Sequence, residues 1–208
     1  MSSVAILDCG MGNLRSVEKA LERVGASAVI TNDHARAREA DGLILPGVGA
    51  FPRAMARIRE LGLDELVAER ADAGVPVLGI CLGLQLLFAS SEELGGAEGL
   101  GLVEGTVTAL EAEGLKVPHI GWEPVRWRKR SQLVEGIEDG EPFYFVHSFA
   151  PRAADDGDVL GVATYGREFV CAVERGNVFG VQFHPEKSSR AGLRLLRNFA
   201  SICASVPA

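Results

Sequence analysis

Two short segments far apart in the chain hold residues able to do nucleophilic chemistry: Gly79-Ile80-Cys81-Leu82-Gly83 and Phe183-His184-Pro185-Glu186. A thiol, an imidazole and a carboxylate are the parts of a nucleophile, its base and the group that orients that base. Cys81 follows residues 75–80, an apolar run rich in β-branched side chains that suits a buried strand. Residues 82–88 read as a helix. The thiol therefore falls on a strand-to-helix turn with glycine two residues away on either side, the Gly-x-nucleophile-x-Gly pattern, where glycine lets the chain bend sharply. A helix start brings unpaired N–H groups to the sulfur and favours its thiolate, and the Leu82 N–H becomes available as an oxyanion donor. The alternative reading is a free cysteine packed as a small core residue.

Four histidines compete for the role of base. His34 lies in a polar stretch and reads as exposed; His119 and His147 follow apolar residues and read as satisfied core or interface histidines. His184 ends a predicted strand at 178–183, which allows it to stand at the same sheet edge as Cys81. Pro185 fixes the chain as it leaves, and Glu186 is close enough to accept the imidazole N–H. Pro46-Gly47-Val48-Gly49 has no reactive side chain, but its backbone can approach a ligand and complete an oxyanion hole; a tight turn explains the glycines equally well. The loop Cys9-Gly10-Met11-Gly12-Asn13 lacks the third glycine of a dinucleotide fingerprint and the lysine of a P-loop, so it reads as a structural or partner-facing loop.

Elements must hold these groups in place. Strands are predicted at 4–7, 28–31, 42–45 and 75–80, alternating with helices at 14–24, 51–59 and 63–73, which argues for a parallel sheet covered by helices on both faces. From about residue 102 the pattern changes to closely spaced strands at 103–110, 125–128, 142–147, 159–165, 169–174 and 178–183. Their Gly and Asp turns predict antiparallel pairing. Residues 90–101 read as a loop and 189–203 as a helix. No repeat or low-complexity linker interrupts residues 1–208, which are expected to form one domain. In an open parallel sheet, function gathers at the carboxyl ends of the strands, where the loops after 7, 45 and 80 lie.

Composition excludes several classes of function. Of 208 residues, 47% are hydrophobic and 24% charged, as in ordinary globular chains. A net charge of −7 disfavours a nucleic-acid partner. The basic cluster Arg126-Trp127-Arg128-Lys129-Arg130 reads as a solvated loop. Cys9, Cys81, Cys171 and Cys203 form no CxxC pair and carry no metal-ligand spacing, so a reducing cytoplasm and no metal are expected. The segment Met1-Ser2-Ser3-Val4 has no secretory character, and the longest apolar stretch is broken by Pro76 and Gln85. No membrane association is expected.

The segments Gly79-Ile80-Cys81-Leu82-Gly83-Leu84-Gln85 and Gln182-Phe183-His184-Pro185-Glu186-Lys187 resemble the nucleophile and base motifs of the class I (triad-type) glutamine amidotransferases. Four further segments narrow the resemblance to the family of glutaminase subunits of imidazole glycerol phosphate synthase. They are Asp8-Cys9-Gly10-Met11-Gly12-Asn13-Leu14, Leu45-Pro46-Gly47-Val48-Gly49-Ala50-Phe51, Lys116-Val117-Pro118-His119-Ile120-Gly121-Trp122 and Tyr144-Phe145-Val146-His147-Ser148-Phe149. The resemblance spans nearly the whole chain.

It implies a flavodoxin-like α/β fold, an open and mostly parallel sheet with an antiparallel C-terminal extension, and glutamine hydrolysis without a cofactor. Cys81 would attack the side-chain amide, with His184 as base and Glu186 holding it. Leu82 and an N–H within Gly47, Val48 and Gly49 would form the oxyanion hole. Gln85, Glu93, Ser148 and Phe149 fall where the family contacts glutamine. The implied partner is a separate (β/α)₈-barrel cyclase subunit, forming a heterodimer and facing Asn13, Pro118, His119, Gly121 and Trp122. Two residues depart from the family pattern: Cys9 stands in place of a tyrosine and Glu123 in place of an asparagine. A peptidase or γ-glutamyl hydrolase, and a non-enzymatic binding module with a packed Cys81, are the competing readings.

Overall fold

The computed structural model describes residues 2–205. Its first half runs β1 (Ser3–Leu7), α1 (Leu14–Arg23), β2 (Ser27–Thr31), α2 (His34–Glu39), β3 (Gly42–Gly47), α3 (Phe51–Glu60), α4 (Leu63–Asp72), β4 (Val77–Cys81) and α5 (Leu82–Leu86). The second half is strand-rich: β5 (Phe88–Ser91), β6 (Ala97–Glu98), β7 (Val103–Ala109), β8 (His119–Pro124), β9 (Arg126–Trp127), β10 (Pro142–His147) and β11 (Phe149–Ala153). It ends with β12 (Val159–Tyr165), β13 (Arg167–Arg175), β14 (Val178–Val181) and α6 (Ser189–Ser205).

The main sheet has strand order β2-β1-β3-β4-β14-β13-β12-β9. Its first five strands are parallel and the last three antiparallel. The order 2-1-3-4 followed by one more parallel strand is that of flavodoxin-like sheets. Side chains alternate along each central strand and so fill two separate cores. Val4, Ile6, Ile44, Leu78, Ile80 and Val181 pack beneath α1 and α6. Ala5, Leu7, Leu43, Leu45 and Val77 pack beneath α2, α3 and α4. Strands buried on both faces read as continuous apolar runs, which is why they are plain in the sequence. Among the described residues, no helix is long and apolar enough to cross a membrane.

Several expectations need correction. The helix after Cys81 stops at Leu86, because the Leu86, Leu87 and Phe88 carbonyls accept N–H groups of Leu100, Val103 and Gly101. Sheet pairing overrides the helical apolar pattern there. Part of the expected loop at 90–101 is strand, with Ser90 and Ser91 paired to Glu98 and Ala97 of β6. The short helix α2 begins at His34, where the Asp33 side chain accepts the Arg36 N–H; the expected exposed His34 instead bonds through Nε2 to the Leu61 carbonyl oxygen. The C-terminal half is not wholly antiparallel. β14 returns to lie parallel to β4, with Gly180 opposite Gly79 and Val181 opposite Ile80, and β5 runs parallel to β7. The basic cluster is not a free loop: Arg126 and Arg128 pair with Glu168, and Lys129 Nζ donates to the Gly157 and Glu174 carbonyls.

Candidate active site

The carboxyl ends of β3, β4 and β14 lie side by side, with Gly47 opposite Cys81 in the register. Cys81 takes φ 56° and ψ −110°, a backbone conformation that costs an L-residue energy and persists only where its surroundings enforce it. The bend is thus made by the cysteine itself. The flanking glycines serve a different purpose from the one expected, namely close packing. A Cβ on Gly83 would stand 1.7 Å from the Leu45 carbonyl oxygen, and one on Gly79 would stand 2.6 Å from the Gly83 carbonyl. Only bare backbone lets α5 sit this tightly on the sheet.

Leu82 opens α5, so its N–H has no carbonyl one turn earlier in the helix to bond. Gly47 faces it closely, since a Cβ there would lie 3.2 Å from Leu82 Cβ. Val48 is 46% exposed and Gly49 sits at φ +108°, so this stretch is a surface loop with a glycine at its turning point, and both residues line the same cavity as Cys81.

His184 reaches the same place from β14. Its N–H donates to the Tyr144 carbonyl at 2.9 Å, and Ser188 Oγ donates to the His184 carbonyl at 2.6 Å, which fixes the backbone. The His184 Nδ1 lies 2.9 Å from Glu186 Oε1. Burial alone would push this imidazole down, but hydrogen bonding to Cys81 and Glu186, with the charges of both, outweighs it and lifts the group to about 9. Such a ring is ready to hold the thiol proton. Cys81 and His184 both line one cavity of about 290 Å³, together with Gly49, Gln85, Glu93 and Phe149.

The remaining expected contacts are partly occupied. Gln85 is buried, and its Nε2 donates to the Phe149 carbonyl at 3.0 Å and to Gln182 Oε1 at 3.1 Å. Its Oε1 is used by no hydrogen bond within the described residues. Glu93 Oε2 accepts the Phe51 N–H at 2.7 Å and so closes the start of α3, leaving its other oxygen for the cavity. The Ser148 carbonyl accepts the Leu110 N–H, and the Phe149 carbonyl also accepts from His147 Nδ1 at 2.9 Å. Ser148 and Phe149 both line the cavity that holds Cys81.

Asn13, Pro118 and Trp122 are exposed and Gly121 half-buried; Val117 and Ile120, next to Pro118 and Gly121 in the chain, are exposed too, and Pro118 lines the same cavity. His119, grouped with them on sequence, turns inward and is 1% exposed, because β8 alternates its side chains between the two faces. It stacks on Tyr165 at 4.0 Å, and its Nδ1 lies 3.1 Å from His147 Nε2. Burial, the larger cause, and the nearby His119 and His184 charges hold His147 at about 4 against the opposing bond to the Phe149 carbonyl, so it is neutral. Its Nδ1–H donates to Phe149, and its bare Nε2 accepts from His119 Nδ1–H. His119 Nε2 then faces Glu123 Oε1 at 3.5 Å.

Sequence reasoning gave no role at the sulfur to two groups that touch it, the Val146 carbonyl, 3.7 Å from Cys81 Sγ, and Gln182, whose Nε2 lies 3.8 Å from it, nor to His147, which lines the same cavity. All three lie in segments that carry the family resemblance, and Gln182 also stands out as a polar residue in an otherwise apolar predicted strand.

Known proteins resemble this chain in sequence and in fold. Residues 5–203 match the family model "Glutamine amidotransferase class-I". The chain is 52% identical to the imidazole glycerol phosphate synthase subunit HisH of Moorella thermoacetica, over 97% of this chain and 96% of that one. It is 50% identical to the protein of the same name from Aquifex aeolicus, over 93% and 94% of the two chains. Among solved structures, a glutamine amidotransferase crystal structure superposes with TM-score 0.76 at 25% identity, covering 97% of this chain and 98% of that one. The structure of PurLQS from Thermotoga maritima superposes with TM-score 0.77 at 21% identity, over 97% and 99% of the chains, and shares the fold.

Proposed function

The chain belongs to the class I glutamine amidotransferases and, within them, to the HisH subunits of imidazole glycerol phosphate synthase, and from that premise we propose the following division of labour among its residues. Cys81 is the nucleophile. It transfers its proton to His184 and attacks the side-chain amide carbon of glutamine, forming a tetrahedral oxyanion. His184 passes the proton to the departing ammonia, and a γ-glutamyl thioester remains. Water, deprotonated by His184, resolves it to glutamate and free thiol. Glu186 holds the ring in the tautomer whose Nε2 faces the sulfur. The Leu82 N–H and one N–H of Gly47, Val48 or Gly49 stabilise the oxyanion. Gln85 and Glu93 receive the glutamine through the oxygens that the fold leaves unused, and Ser148 and Phe149 line its amino-acid end.

The ammonia goes to a (β/α)₈-barrel cyclase subunit, which makes imidazole glycerol phosphate and an aminoimidazole carboxamide ribotide in histidine biosynthesis. The exposed apolar side chains of Val48, Val117, Ile120 and Trp122, with Asn13, Pro118 and Gly121, suit that docking face, and Val48 and Pro118 join it to the cavity that holds Cys81. The heterodimer works in the cytoplasm, in keeping with four cysteines that are all unpaired.

The observation that carries this reading is His184 with its Nδ1 2.9 Å from Glu186 Oε1, lining one cavity together with Cys81. A glutamine-mimicking alkylator, applied to the complex of this chain with its cyclase and the cyclase's nucleotide ligand, is expected to modify Cys81 alone. Ammonia release from glutamine is expected to rise in that complex at least about tenfold over the isolated chain. An unmodified Cys81, or an isolated chain already at full rate, overturns the corresponding part.

A further inference from the structure

The Phe149 carbonyl oxygen can only accept hydrogen bonds, and it accepts two here, from His147 Nδ1 and Gln85 Nε2. That fixes which end of the Gln85 amide points toward Phe149. The second N–H of the same nitrogen then meets Gln182, which must answer with its oxygen, at 3.1 Å. With its oxygen committed, Gln182 presents Nε2 to Cys81 Sγ, at 3.8 Å. A reversed amide at either glutamine would bring two oxygens or two N–H groups face to face.

Gln182 is 0% exposed, and its backbone N–H bonds to the Cys171 carbonyl without help from the side chain. Nothing in the strand requires a polar group there, and burying an amide is costly unless its bonds are made. The sulfur has a second neighbour, the Val146 carbonyl, which suits an S–H but repels a thiolate. Once the thiol proton has moved to His184, Gln182 is the neutral donor that binds the sulfur alongside the His184 imidazolium.

We propose that Gln182 is a further catalytic residue, the N–H donor that holds the Cys81 sulfur as it becomes a thiolate, and that Gln85 is the positioning residue that decides which end of the Gln182 amide faces it. This rests on the reading of Cys81 as the glutaminase nucleophile and adds a function for Gln182 that the triad does not supply. It also gives Gln85 two duties: its oxygen serves the cavity and its nitrogen the relay.

The test is alkylation of Cys81 in the full chain by iodoacetamide, followed by peptide mass spectrometry across neutral to alkaline pH. Gln182→Met keeps the length of the side chain and removes the donor; near neutral pH its alkylation is expected to slow about tenfold, while the rate at alkaline pH equals that of the parent chain. Gln85→Met, which releases the pin, is expected to give a smaller slowing in the same direction. A Gln182→Met profile that superimposes on the parent overturns the proposal. Should that variant not fold, NMR of the parent chain decides: the Gln182 side-chain N–H resonance is expected to move downfield with the titration that alkylation reports, and a resonance that stays put overturns the relay. Ammonia release by the unaltered chain with its cyclase reads the glutaminase assignment separately, so a hydrolysing enzyme with an unchanged Gln182→Met profile refutes the relay alone.

Discussion

His184 Nδ1 and Glu186 Oε1 stand 2.9 Å apart although their residues are separated by only one proline, and the turn that joins them, Pro185–Lys187, is a single turn of 3₁₀ helix. The tight turn folds the carboxylate back onto the ring and leaves the other imidazole nitrogen facing the thiol. The Glu186 side chain is 1% exposed, so water does not compete for the contact.

Replacing that carboxylate by an amide should leave the fold intact and spoil the tautomer. Glu186→Gln is expected to lower kcat for glutamine by about a hundredfold or more, with KM changed by less than about threefold. Steady-state ammonia release in the presence of the cyclase measures both. Near-normal kcat would mean that another group orients His184.

The two glycines of the nucleophile turn are expected to be intolerant for a steric reason. Gly83→Ala drives a methyl into the Leu45 carbonyl and should cost about 3 kcal/mol or more, or prevent folding. Gly74→Ala is the control: Gly74 follows α4 at φ +80° with open space around its missing side chain, and the change should cost about 1 kcal/mol. Urea denaturation of both variants measures the difference, and a Gly83→Ala protein as stable as Gly74→Ala would contradict the packing argument.

His147 makes stability depend on acid. Its folded value, about 4, lies below the ordinary 6.5, chiefly because it is buried. The unfolded chain therefore takes up the proton first. This group's contribution is fully present above 6.5 and is lost as pH falls from 6.5 toward 4, a loss on the order of 3 kcal/mol. Denaturant unfolding at both ends of that window should show the parent chain losing about that much more stability than His147→Asn. Parallel losses in the two proteins would place the acid sensitivity elsewhere.

Trp122 is 47% exposed and leans on Tyr144 with ring centroids 5.7 Å apart. Trp122→Ala should weaken cyclase binding about tenfold or more, as for a half-buried aromatic anchor, while changing the stability of the isolated chain by less than about 1 kcal/mol. Calorimetric titration and thermal unfolding check the two halves. Unchanged affinity would move the docking face away from β8.

Much of this protein is legible along the chain. The strands around Ile6, Ile44 and Leu78 and the helices carrying Leu21, Met55 and Leu66 declare themselves because burial on one or both faces imposes a local periodicity. The turn at Cys81 is visible because only glycine fits at 79 and 83, though the sequence suggested flexibility where the structure shows crowding. By contrast, β5, β8 and β11 were hidden, since short strands half-covered by neighbours carry little periodic signal.

What residue order by itself determined is the inventory: a thiol on a strand-to-helix turn, an imidazole with a carboxylate two residues on, a glycine-rich loop after the third strand, and a full-length family resemblance. What only the tertiary structure decided is adjacency. β14 had to insert parallel to β4 before His184 could reach Cys81, and β8 had to pair with β10 before His119 could turn inward onto His147. Such pairings join residues distant in sequence and depend on which buried faces and backbone bonds can all be satisfied at once. For the same reason Gln182 looks like any polar residue in the chain, and its contact with the sulfur exists only because the Phe149 carbonyl, on another strand, sets the direction of the amides between them.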